Sequence, residues 1–78
     1  MSDQQRESVN QLFAEATALL EDAIETAVAG QSPDLDDDQM RVEAEQLRTY
    51  AQRLDAIATE ALAMVKRGTN HSSDNQPN

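Results

Sequence analysis

Cysteine is absent, so neither a disulfide staple nor a thiolate metal site can form. Histidine occurs once, at His71, in a polar stretch with no second imidazole or thiol to share a ligand. A metal site or a catalytic triad needs several such groups at fixed geometry, so no cofactor and no enzymatic centre are expected. Tryptophan is absent, and Phe13 and Tyr50 are the only aromatics. No apolar run approaches the ~18 residues a membrane span requires. The polar start Met1-Ser2-Asp3-Gln4-Gln5 does not resemble a secretory signal. Glycine and proline occur twice each, so few points can interrupt regular structure.

Basic residues are also scarce: six Lys and Arg face fifteen Asp and Glu, a net charge of −9. Residues 3–29 hold a net −5, residues 34–38 a net −4, and residues 39–67 a net +1. Most of such a surface repels a phosphate backbone or an anionic bilayer, so nucleic-acid and membrane partners are not expected. A basic protein is the electrostatic complement, and a cytoplasmic location is the corresponding expectation. Exposed carboxylates at Glu15, Glu21, Asp22, Glu25, Asp36, Asp37 and Asp38 form the acidic surface.

What is present is helical periodicity. From about residue 3 to 29, Val9, Phe13, Ala16, Leu20, Ala23 and Ala27 recur at steps of four and three, the spacing of a heptad seam. Leu12, Leu19, Ile24 and Val28 widen the stripe. Ser2 and Gln5 fit a capping box at its start. Gly30 fits a left-handed stop at its end. A turn over 30–35 follows. Either Ser32 caps the next helix with Pro33 behind it, or Asp36 caps it and Gln39 closes the box.

From about residue 36 to 67 the pattern is stronger. Met40, Ala44, Leu47, Ala51, Leu54, Ala58, Ala61 and Val65 repeat at steps of four and three. Tyr50, Ile57 and Met64 make a second row beside them. Gly68 fits a stop. Residues 69–78 contain no apolar side chain and read as a disordered polar tail.

The expected fold is all-α: an antiparallel two-helix hairpin over residues 1–68 with an alternating Ala/Leu seam. Small Ala side chains admit close helix approach, and the large residues fill the layers between. In this reading Phe13, Leu20, Leu47 and Leu54 carry assembly. Tyr50, Ile57 and Met64 form the outer row, which a hairpin alone would leave wet along with Leu12 and Leu19. A second copy would cover it, giving a homodimeric four-helix bundle.

Two polar patterns invite chemistry. Asp34, Asp36, Asp38 and Glu45 fall at positions 1, 3, 5 and 12 of an EF-hand loop, but Gln39 stands where the loop requires Gly. An acidic first turn that complements the helix dipole explains the same residues. The arginines of the second helix, Arg41, Arg48 and Arg53, are expected to answer the acid of the first helix across the bundle or to pair locally, as Glu45 with Arg48.

These features lead to a non-enzymatic protein–protein interaction module, a small acidic adaptor or regulator acting through helix packing. The same residues admit an inhibitor that offers carboxylates in place of DNA phosphates, and a co-chaperone that shields a partner's amphipathic helix.

Overall fold

A computed structural model describes residues 2–73, with side chains through Arg67. Two helices account for nearly all of it: α1, Asp3–Ala29, and α2, Asp37–Ser73. They pack against each other along their length, and no strand occurs among the described residues.

Each helix start is fixed by a side-chain cap. Ser2 is extended and its hydroxyl accepts from the Gln5 N–H at 3.1 Å. At α2 the alternatives resolve in favour of Asp36. Its carboxylate accepts the Gln39 N–H at 2.8 Å, and the Gln39 side-chain oxygen accepts the Asp36 N–H at 3.0 Å. This reciprocal box satisfies two backbone donors that the first turn would otherwise leave free. Ser32 instead opens a turn, with Pro33 at its second position and the Leu35 N–H donating to the Ser32 carbonyl at 3.4 Å. Pro33 suits that position because its ring already holds the required φ.

The end of α1 departs from the expected left-handed stop. Gly30 has φ −67° and ψ −15°, an ordinary right-handed conformation. The chain leaves the helix by tightening: Gln31 N–H donates to the Val28 carbonyl and Ser32 N–H to the Ala29 carbonyl, both three residues back. No described residue has a positive φ. At the other end, α2 runs through Gly68 to Ser73 and does not stop at Arg67. A helical glycine costs only about 1 kcal/mol relative to Ala, and no proline follows until Pro77. Residues 74–78 of the expected tail lie outside the described residues.

The packing seam corrects the expected one. Val9, Leu19, Thr26 and Ala61 are buried, and Gln5, Leu12, Ala16 and Ala23 are half-buried. On α1 the inward row is therefore Val9, Leu12, Ala16, Leu19, Ala23 and Thr26. On α2 it runs through Tyr50, Leu54, Ile57, Ala61 and Met64, each half-buried or buried. Tyr50, Ile57 and Met64 thus face α1 of their own chain, not an outer row. Phe13 and Leu20, expected inside, are 61% and 50% exposed. Volume accounts for the exchange. Turning Leu12, Leu19, Tyr50 and Ile57 inward fills the space between the helices with more apolar bulk than the alanine row 44, 51 and 58 supplies.

The result is a flat rod, 62 × 25 × 12 Å, one helix thick. Its radius of gyration is 18.1 Å. A globular chain of this length would have about 12 Å. No helix is long and apolar enough to cross a membrane among the described residues.

Candidate interaction face

A one-layer hairpin has two broad faces, and here they differ in chemistry. On one, Phe13 of α1 borders a groove with Ala58, Ala61, Leu62 and Val65 of α2. Towards the loop the same face continues as Ala27 and Gly30 beside Met40, Ala44 and Leu47. Steps of three and four between these anchors put Ala16 beside Leu54, Leu20 beside Ala51, and Ala23 beside Leu47. Large and small residues therefore face each other across most layers. Only Glu43, at the loop end, brings a charge into either groove. Phe13, Leu20, Ile24, Met40, Leu47 and Leu62 are all between 39% and 61% exposed.

The opposite face is polar. Ser8, Gln11 and Glu15 line it from α1, with Glu60 and Met64 from α2. Glu21, Asp22 and Glu25 are exposed on α1, as are Asp37 and Asp38 in the first turn of α2. Glu43 is the one carboxylate that lines the two apolar grooves.

Of the residues the sequence singled out for assembly, Phe13, Leu20 and Leu47 stand on this face, and Leu54 is half-buried at its midline. Tyr50, Ile57 and Met64 serve the hairpin's own seam. Leu62 belongs to the apolar face but escaped the sequence reading, because Asp55, seven residues earlier, breaks the row it would extend.

The acidic run does not form a cation loop. Asp36 is committed to the cap of α2. Glu45 lies within α2, where Arg41 Nη1 approaches it at 3.4 Å. Arg41 also reaches Asp38 at 3.7 Å. These exposed pairs are local to one helix, the second of the two arrangements expected of the arginines, and none of the ion pairs among the described residues joins α1 to α2. The Glu45–Arg48 pair is not formed either. Among the described residues no group of three or more His, Cys, Asp or Glu converges to hold a metal ion. His71 lies on α2, and its side chain is outside those described.

Comparison with protein-family models, with curated proteins and with solved structures finds no match to this chain.

Proposed function

We propose that this protein is a non-enzymatic interaction module whose apolar face pairs with a second copy of the chain, closing a four-helix bundle with an acidic exterior. The observation that supports this is the uneven distribution of side chains: one face of the rod carries two mostly apolar, uncovered grooves into which only Glu43 brings a charge. The chain exposes 6197 Å². A compact monomer of its mass exposes about 4,700 Å². Two helices overlapping for some 40 Å offer roughly 800 Å² of flat contact, the share one partner contributes to a stable interface. The outer surface then presents acid to a basic protein partner, the role of a small adaptor or regulator.

Light scattering on a sizing column tests this at low and high salt. The expected mass is twice 8.6 kDa at either salt, because an apolar interface is little screened. Leu47→Asp and Leu20→Asp each place a charge at the contact and should return the chain to monomer. A monomeric wild type, or dimers that survive both substitutions, would reject the proposal.

A second reading rests on the distribution of acid. Residues 20–48, the loop half of the rod, hold nine carboxylates against two arginines. An inhibitor that imitates DNA phosphates would use that end, and its grip on a basic target would weaken steeply with salt.

A further inference from the structure

Building on that self-association, we infer that the two hairpins stack with their loops at opposite ends. In this arrangement α1 lies on the partner's α1 and α2 on the partner's α2, about a twofold axis beside Leu20 and Ala51.

Side-chain volume selects this arrangement. The layers of the apolar face run from Phe13 with Ala58 to Ala27 with Ala44 and Gly30 with Met40. They are not equal in size: one holds a phenylalanine, and one holds only alanines. Loops at the same end would stack each layer on its own copy. Each Phe13 would then lie over the partner's Ala58, but Ala27 and Ala44 of both copies would leave a hole in one layer. Voids destabilise a core.

With loops at opposite ends, the Phe13 layer falls on the all-alanine layer, so Phe13 sits over the partner's Ala27. Leu20 meets the partner's Leu20 at the axis. Leu54 meets the partner's Leu47, while Ala16 meets the partner's Ala23. Every layer from Phe13 to Ala27 then combines large and small side chains.

Charge selects the same arrangement. Outside residues 20–48 the chain holds six carboxylates against four basic residues, Arg6, Arg53, Lys66 and Arg67. Opposite ends bring each acidic loop half alongside the partner's less acidic half. Loops at the same end would gather eighteen carboxylates with four arginines at one pole, many within the ~8 Å screening length of physiological salt.

The chain has no cysteine, so Asp34→Cys in the exposed turn gives a single labelling position. Dipolar EPR between spin labels in the dimer should read about 40 Å, near the length of a 27-residue helix. Gln4→Cys, at the other end of the rod, should also read about 40 Å or more and does not disturb the turn. A dimeric mass with distances under about 25 Å at both positions would overturn the stacking but leave self-association intact, since only loops at one end come so close. A monomeric mass would overturn both.

Discussion

The Gln5 side-chain amide donates to the Met64 carbonyl at 2.9 Å, and this is the one side-chain hydrogen bond that joins the two helices among the described residues. It explains why the first capping box is only half made. Ser2 accepts the Gln5 N–H, but the Gln5 side chain turns to α2 and does not return to Ser2. The bond pins the start of α1 to α2 at the open end of the hairpin, opposite the loop.

Gln5→Ala should therefore lower stability by about 1 kcal/mol, the usual net worth of such a bond. Urea denaturation at fixed protein concentration measures the loss. Amide exchange should quicken most near Val65 to Arg67, where α2 loses its tie. Unchanged exchange there would show that the bond does not hold the open end.

Leu19→Ala and Phe13→Ala should separate fold from association. Leu19 is 9% exposed in the seam, so its truncation should cost about 2 kcal/mol or more of helix pairing. Phe13 is 61% exposed on the hairpin. Its loss should spare helicity at high dilution and raise the dissociation constant of the proposed dimer at least tenfold. Circular dichroism and analytical ultracentrifugation read the two effects separately.

Asp36→Ala removes the cap of α2. The expected cost is about 1 kcal/mol, with fraying confined to the first turn of α2. Asp36→Ser, which keeps an accepting oxygen, should recover most of it. A loss equal to that of Asp36→Ala in the serine variant would show that the oxygen is not what holds the turn.

Gly30→Ala distinguishes the observed helix end from a left-handed one. At φ −67° alanine is unstrained, and an added Cβ meets nothing closer than 3.5 Å. The substitution should leave thermal stability unchanged or raise it by up to about 1 kcal/mol, through reduced freedom of the unfolded chain. A clear fall in Tm would mean that the glycine adopts positive φ.

Part of the uncovered apolar face was legible before the fold. Val9, Phe13, Ala16, Leu20, Ala23 and Ala27 do form a continuous row, as do Met40 to Val65 on α2. What the spacing did not disclose is which neighbour that row meets. A second row, Val9, Leu12, Ala16, Leu19, Ala23 and Thr26, has the same steps and shares every other layer with the first. The two differ by one residue at the remaining positions, a turn of about 100° around the helix. Capping was ambiguous for a similar reason: Ser32 and Asp36 each had suitable chemistry, and only the reciprocal Asp36–Gln39 hydrogen bonds settled which one begins α2.

The sequence by itself determined the local physics. Heptad spacing specifies two amphipathic helices, scarce Gly and Pro confine the break to one short connection, and the net charge of −9 sets the acidic surface. These follow from each residue and its near neighbours along the chain. The tertiary structure decided how each helix is rotated. It turned Leu12, Leu19, Tyr50, Ile57 and Met64 into the hairpin and left Phe13 and Leu20 in the open, because filling the space between two helices depends on the combined volumes of side chains some 30 to 60 residues apart, which no local pattern records.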